Sequence, residues 1–399
     1  MIHPDEAIAL LSSFIRQPAV ETVPLASALG RIIPGPVMGT MDQPPFAKSA
    51  VDGWAWKAAK GQPMPEGALR VRGVLAAGSD GIGGDGADEP MQEVQTIRIM
   101  TGAPVPRGAT RVQSLELATE ADGMVTFTKP ERISNIIEQG ENSRTGDQIL
   151  SPRLVTAQDL AILAADGRAS VNVAVRPVVG VLSTGAELLE PGMARSGAMI
   201  YDSNRPQILA QLGSPAFQLR DLGHLPDNFD ATLAAVSDAL ATCDLVLLSG
   251  GVSMGDFDYV PKALTAAGVT TRFHGVAMKP GKPTYFGTTD HGFVLGLPGN
   301  PVSVFVNTEV LAKPLLFALS GISYRPSLVP VPMAVELRRK STERVEFKPV
   351  RIEEDGVHPV RYGGSSAIQA LGEADGFVRL EIGQDCLEQG AITHVRLVR

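Results

Sequence analysis

The sequence has little cysteine, few aromatic residues and no excess of positive charge. Its 399 residues include only Cys243 and Cys386, which excludes a disulfide framework and a metal site built from cysteines. Aromatic residues make up 5% of the chain, and the formal net charge is -8. A nucleic-acid-binding protein normally carries a basic stripe, so this balance argues against that class.

Long apolar runs and paired histidines are also missing. The most apolar stretch, 293–306, is interrupted by glycines and prolines, so we expect no membrane span. Residues 1–11 lack a basic region followed by a sustained apolar stretch, so we expect no secretory signal. His224 and His274 have no histidine at metal-ligand spacing and are interpreted as ordinary surface or core residues. The resulting expectation is a cytoplasmic protein.

What is present is a multi-domain pattern. A chain of 399 residues with 44% hydrophobic content predicts a soluble protein of two to four domains. Short strand patterns with turns occupy about 66–130, and the spacing of Trp54 and Trp56 indicates packing residues. Strand and helix patterns alternate over 176–320, which predicts a three-layer α/β domain with a mostly parallel sheet. Alternating residues after Pro326 predict a small β-barrel or sandwich.

The individual elements of the α/β region can be placed from periodicity and capping residues. Helical spacing also predicts an amphipathic helix over 5–16, before this region. The predicted strands are 176–183, 217–223, 244–251 and 292–299. The predicted helices begin near Ser203 or Asn204, cover 228–242 and 261–268, and start again at about 301.

Four turns of the α/β region gather polar chemistry: 183–190, 248–259, 278–284 and 297–303. Three of them leave an apolar strand and lead towards a helix. Such strand ends border the crevice where ligands bind, and helix N-termini supply donors for anions. With Glu187, Asp256, Asp258, Lys279 and Lys282, these turns predict an anionic, metal-assisted substrate.

The turn 248–259 is the strongest of these signals. A tight turn that caps a helix would explain one glycine and one aspartate, but residues 250–258 alone hold three glycines, a serine and two aspartates. From the four turns we predict a set of substrate-binding residues: Thr184, Gly185, Ser249, Gly250, Gly251, Ser253, Gly255, Lys282, Pro298, Gly299 and Asn300.

These turns, together with SAVDGWA (49–55) and IRIMTGAPVP (97–106), resemble the molybdopterin molybdenumtransferase family. This is the MoeA family, related to the E-domain of gephyrin, and the resemblance covers essentially the whole chain. It implies a homodimer of four-domain subunits with a MogA-like central domain. The implied domains are an elongated mixed N-terminal domain (1–44 and 136–174), a β-rich insert (45–135), an α/β molybdopterin-binding domain (175–325) and a C-terminal β-barrel-like domain (326–399).

The resemblance also implies an activity. Adenylylated molybdopterin is hydrolysed, AMP leaves, and molybdenum from molybdate enters the dithiolene with the help of Mg2+. The implied partners are a second copy of the chain, the molybdopterin adenylyltransferase that makes the substrate, and downstream proteins of molybdoenzyme maturation. Neither a nucleic acid nor a membrane is implied.

Motif matches carry roles onto this sequence. Asp227 and Asp258 would hold the metal, and Glu187 would orient the attacking water or a metal-bound ligand. Lys279 and Lys282 would bind phosphate or molybdate. Asp52 and Thr101 would come from the β-rich domain and close the cleft across the dimer. The resulting catalytic set is Asp52, Thr101, Glu187, Asp227, Asp258 and Lys279.

Several segments depart from the family pattern. Glu138 and Asn142 stand where relatives have an arginine and an aspartate, and Gly275 and Gln369 replace a lysine and a serine. An arginine-to-glutamate change reverses the charge, so anion binding by that segment would be lost or moved. Two alternatives therefore stay open beside the insertase: a molybdopterin-binding carrier or scaffold without catalysis, and a molybdopterin adenylyltransferase.

Overall fold

A computed structural model describes residues 1–15, 17–59, 64–79, 90–225, 228–252, 259–361 and 363–398. The chain divides into two compact units. The larger unit contains Met1–Gly35, Pro152–Thr156 and Ser170–Arg399, and the smaller unit contains Pro36–Ser151 and Ala157–Ala169. The four-domain boundaries given above stay a prediction.

The helices and strands have the following bounds. The helices are α1 Pro4–Ser13, α2 Ala157–Ala165, α3 Asn204–Leu212, α4 Phe229–Thr242, α5 Val260–Ala266, α6 Pro301–Asn307, α7 Lys313–Leu319 and α8 Gln369–Glu373. The strands before residue 175 are β1 Val20–Pro24, β2 Ile32–Ile33, β3 Val37–Met38, β4 Lys48–Ser49, β5 Gly53–Trp56, β6 Leu69–Leu75, β7 Gln95–Ile99, β8 Arg111–Ser114, β9 Ala118–Ala121, β10 Met124–Phe127, β11 Ile136–Ile137, β12 Gln148–Leu150, β13 Arg153–Leu154 and β14 Ser170–Ala174.

The remaining strands belong to the larger unit. They are β15 Val178–Thr184, β16 Leu188–Leu189, β17 Ile200–Tyr201, β18 Gln218–Leu225, β19 Leu245–Ser249, β20 Thr270–His274, β21 Met278–Lys279, β22 Tyr285–Thr288, β23 Phe293–Leu297, β24 Leu328–Pro332, β25 Leu337–Arg338, β26 Val345–Glu353, β27 Gly356–Pro359, β28 Gly376–Leu380, β29 Cys386–Leu387 and β30 Ile392–Leu397.

The central sheet of the larger unit has the order β18-β15-β19-β23-β22-β20. The first four strands are parallel, whereas β22 and β20 join in antiparallel pairing, so the sheet is mixed. Alternate residues of β19 enter different cores: Leu245 and Leu247 pack with α3 and α6 on one face, and Val246 and Leu248 pack with α4 and α5 on the other. The predicted three-layer arrangement is confirmed.

A continuous helical rod, Pro301–Leu319, runs through α6, a π-helical turn and α7. By length and composition alone it is apolar enough to cross a membrane, but 67% of it is buried inside the protein. Val304, Val306, Leu311 and Leu315 are fully buried in the main core. The helix is therefore apolar because it lies in the protein core.

The C-terminal part of the larger unit forms a sheet of order β21-β26-β28-β30-β24, with β27 also paired to β26. The smaller unit is built on the sheet β8-β5-β7-β6-β10-β9. Trp54 and Trp56 are 2% and 1% exposed in its core, and Trp56 contacts Phe127 edge to face. Their interpretation as packing residues is confirmed.

Candidate active site

A cavity of about 570 Å³ opens where β15, β19 and β23 end. These three strands are parallel, so their carboxyl ends meet at one edge of the sheet and the turns that follow them come together. Nine of the residues predicted from the turns line this cavity: Thr184, Gly185, Glu187, Ser249, Gly250, Gly251, Pro298, Gly299 and Asn300. The structure therefore joins turns that are far apart in the sequence.

Four of the predicted site residues lie outside the residues that the structure describes: Asp227, Ser253, Gly255 and Asp258. Asp256, in the same turn, also lies outside them. Neither Lys279 nor Lys282 is among the described residues that line the cavity, although Pro283 of the same loop does so.

Gly250 and Gly251 bring the chain close to β15. Their φ angles are +90° and +65°, which L side chains rarely adopt. A Cβ atom on Gly250 would lie 2.5 Å from the carbonyl oxygen of Thr184, and one on Gly251 would lie 2.7 Å from the Thr184 hydroxyl. The backbone N–H of Gly250 donates to the carbonyl of Leu297. Glycine is thus required here for a close approach of backbone to backbone.

Asn204 lines the cavity, although the sequence indicates it only as a possible helix cap. Its Nδ2 donates to the Ser249 hydroxyl at 2.9 Å and to the Gly299 carbonyl at 2.7 Å. It thereby ties the turn after β19 to the turn after β23. Ser203 occupies the predicted N-cap position, but its side chain makes no capping hydrogen bond; instead, Asp202 accepts hydrogen bonds from the N–H groups of Asn204 and Arg205. The sequence signal for this cap is the aspartate Asp202, two residues before the helix begins at Asn204.

Arg205 stabilises the part of the cavity formed by Asp202 and Asn204. It is 6% exposed, and it pairs with the buried Asp202 at 3.1 Å and with Asp221 and Glu190. The Ser183 hydroxyl also donates to Asp202. Burial acts to lower the pKa of Arg205, but the hydrogen bonds to the three carboxylates outweigh this and raise the pKa above its ordinary value.

Two buried oxygens at the cavity have no hydrogen-bond partner among the described residues: Thr184 Oγ1 and Asn204 Oδ1. Glu187 is exposed, and in the described part of the chain its carboxylate has no side-chain hydrogen bond or ion pair. Unsatisfied buried oxygens are costly, so a ligand that supplies donors or a hard cation is expected to reach them. An oxygen-only set of this kind fits Mg2+.

The predicted pair Asp52 and Thr101 is brought together in the smaller unit. Asp52 precedes β5 and Thr101 follows β7, and these strands pair with Gly53 opposite Ile99. The Thr101 backbone N–H and hydroxyl both donate to Asp52 Oδ1, at 2.6 and 2.8 Å. The backbone hydrogen bond first, and then the hydroxyl, lower the pKa of Asp52 from its ordinary value of 3.8.

Replacing Thr101 with valine is expected to raise the pKa of Asp52 towards 3.8. The hydroxyl donor is removed, whereas the backbone donor stays, so part of the shift remains. A carbon-detected NMR titration of the Asp52 carboxyl measures this directly. Thr126→Val, at an exposed position on β10, serves as the control. An unchanged Asp52 titration in the Thr101 variant would show that the hydroxyl does not stabilise the carboxylate.

Comparisons with known proteins agree along the whole chain. Residues 2–167 match the family model of the MoeA N-terminal region (domain I and II), and residues 331–397 match the MoeA C-terminal region (domain IV). Residues 180–318 match a probable molybdopterin binding domain. A molybdopterin molybdenumtransferase of Bacillus subtilis is 30% identical over 406 residues, covering 99% of this chain and 94% of that protein. The chain belongs to the molybdopterin molybdenumtransferase family.

Other members of this family support the same assignment. The molybdopterin molybdenumtransferase of Haemophilus influenzae is 33% identical over 371 residues, covering 90% of this chain and 89% of that protein. A crystal structure of the molybdopterin biosynthesis MoeA protein from Pyrococcus horikoshii OT3 matches with a TM-score of 0.84 at 25% identity, covering 100% of both chains. The MoeA family belongs to molybdenum cofactor biosynthesis, and the resemblance inferred from the sequence is confirmed.

The structure shows the surroundings of two residues that depart from the MoeA pattern, Gly275 and Gln369. Gly275 has a φ of +100°, so a lysine at this position would be strained. Gln369 begins α8 and Ala370 is buried, and neither is among the described residues that line the cavity. Ser366 lines it instead, and Ser365 accepts a hydrogen bond from Asn300 at 2.9 Å. Serine hydroxyls therefore reach the site from slightly earlier in the chain.

Proposed function

We propose that this chain inserts molybdenum from molybdate into adenylylated molybdopterin, with hydrolysis of the adenylate and release of AMP. The observation that carries the proposal is the polar cavity at the ends of β15, β19 and β23. Membership of the MoeA family indicates the class of reaction. The cavity is lined by glycine backbone and polar oxygens that can bind a phosphorylated ligand.

The residues of the cavity have distinct roles in this proposal. Gly250 and Gly251 line the cavity and present their backbone to the ligand's phosphates, and Asn204 holds the two turns together around them. Glu187 orients the attacking water, which adds to the adenylate phosphorus as the phosphoanhydride bond breaks. The molybdopterin phosphate is the leaving group, and AMP, which carries the new oxygen, is released. Preorganised groups of this kind lower the barrier because they need no rearrangement during the reaction.

Mg2+ would be held by Asp227 and Asp258. When bound, it would neutralise charge on the phosphoanhydride. Lys279 and Lys282 bind phosphate or molybdate in this scheme. We further propose a cytoplasmic homodimer that receives its substrate from the adenylyltransferase and serves downstream maturation proteins, with Asp52 and Thr101 contributing from the β-rich domain.

The decisive experiment combines purified protein, adenylylated molybdopterin, Mg2+ and molybdate, and quantifies AMP and metal-bound cofactor together. Molybdate-dependent release of AMP with metal insertion supports the insertase. Tight cofactor binding without either product supports the carrier or scaffold alternative, which the altered residues Glu138, Asn142 and Gln369 favour. ATP-dependent adenylylation of molybdopterin would instead support the adenylyltransferase.

Asp258→Ala is expected to reduce AMP release by about 100-fold or more, because the metal then loses a carboxylate ligand. The measurement is AMP release under single turnover, with a thermal melt to verify folding. Asp290→Ala, which removes an exposed aspartate of the same unit, is the matched control and should release AMP at the normal rate. Unchanged AMP release by the Asp258 variant would remove Asp258 from the mechanism.

A further inference from the structure

A buried carboxylate lies directly against one of the two lysines assigned to anion binding. Lys279 of β21 and Glu346 of β26 are neighbours in the register of a parallel pair. Lys279 Nζ lies 3.1 Å from Glu346 Oε1. The Lys279 side chain is 43% exposed, whereas that of Glu346 is 5% exposed. The ammonium group of Lys279 thus contacts a buried carboxylate while its side chain stays partly open to solvent.

Arg339 is a second cation near this carboxylate, but three of its five N–H donors go to backbone carbonyls. Its guanidinium donates to the carbonyls of Gln384, Arg344 and Glu381. Its Nη1 lies 3.7 Å from Glu346 Oε2, and that oxygen has no hydrogen bond among the described residues. Lys279, at 3.1 Å, is therefore the nearer of the two cations that pair with Glu346, and a buried carboxylate strongly opposes the loss of such a partner.

Lys348 adds a second lysine to the same place. It lies two residues after Glu346 on β26, so both side chains lie on one face of the strand. Burial lowers the pKa of Lys348, the charge of Glu346 acts to raise it, and the charge of Lys279 lowers it. The two lysines therefore repel each other across Glu346, and the carboxylate offsets that repulsion.

We infer that Glu346 is a positioning residue that holds Lys279 for anion binding; this inference rests on the proposed function. An ammonium group has three donors, and the contact with Glu346 uses one of them. The exposed remainder of the group can contact an oxyanion such as molybdate. Glu346 acts through Lys279, so it sets the position of the cation without contacting the anion.

The test is a double-mutant cycle read by calorimetry with molybdate as the probe. The variants are Glu346→Gln, Lys279→Gln and the two together, with Glu346→Asp as a conservative replacement. The matched control is Glu343→Gln, an exposed glutamate three residues before Glu346. Thermal melts of each variant show folding, and the double variant removes both charges of the pair and so avoids an unpaired buried charge.

Glu346→Gln is expected to weaken molybdate binding about tenfold in the full chain, with partial recovery in Glu346→Asp. It should add less than about twofold when Lys279 is already glutamine, because its effect passes through that lysine. Unchanged affinity in Glu346→Gln, or an equal further loss in the Lys279→Gln background, would overturn the inference.

The same samples separate this inference from the proposed function. AMP release and metal insertion by the unsubstituted chain report on the insertase, whereas molybdate binding needs no turnover. Binding with the expected cycle but without turnover contradicts the insertase and leaves the role of Glu346 supported. If the unsubstituted chain binds no molybdate, the inference falls too, because Lys279 then holds no anion.

Discussion

Replacing Arg205 with methionine is expected to destabilise the larger unit by about 3 kcal/mol or more. The reason is that Asp202, 1% exposed, would keep a buried charge without its cation. Asp221 and Glu190 are about half exposed and can be solvated instead, so Asp202 dominates the cost. Chemical unfolding followed by far-ultraviolet circular dichroism measures the free energy. Activity should fall as well, because Asn204, adjacent to Arg205, lines the cavity.

Two further variants sharpen this result. Arg338→Met removes an arginine whose partners, Glu336 and Asp385, are also exposed, so it should cost much less stability than Arg205→Met. Asp202→Asn in the Arg205→Met background should recover part of the loss, because it removes the unpaired charge. A loss below about 1 kcal/mol in Arg205→Met would show that the cluster contributes little to stability.

Replacing Gly250 with alanine is expected to cost about 3 kcal/mol and to reduce AMP release by about 100-fold. A positive φ costs an L residue about 1–2 kcal/mol, and overpacking adds about 1–3 kcal/mol. The new Cβ would lie 2.5 Å from the Thr184 carbonyl oxygen, which can retreat only if β15 moves. The two turns that line the cavity would then separate. Unfolding measurements and single-turnover AMP release test the two parts.

Gly192→Ala is the matched control for this variant. Gly192 has a φ of +94°, close to the +90° of Gly250, but a Cβ atom there would meet nothing within 4 Å. It should therefore lose only the backbone contribution, about 1–2 kcal/mol, and keep its activity. Equal losses in the two variants would mean that the close approach to Thr184 is unimportant, and that backbone conformation alone explains the glycine.

Local sequence patterns predicted much of the α/β domain. The strands ending at Thr184, Ser249 and Leu297 were placed within a few residues, because β-branched apolar runs and the turns that follow them are local features. The helix predicted over 228–242 is α4, Phe229–Thr242, and the structure adds that Asn228 caps it. The direction of β20 and β22 was not predictable in this way, since a short apolar run carries no information about its neighbour in the sheet.

The candidate site divides in the same manner. Local sequence shows which turns carry glycine, carboxylate and lysine, and nine of the residues predicted from those turns meet at one sheet edge in the structure. Three contacts could be seen only in the folded chain: Asn204 joins two of those turns, Ser366 reaches the cavity, and Lys279 pairs with Glu346. The glycines and polar residues of a turn are adjacent in the sequence and can be recognised there. An ion pair or hydrogen bond between segments that are far apart in the chain depends on how those segments pack, and the local sequence does not show that packing.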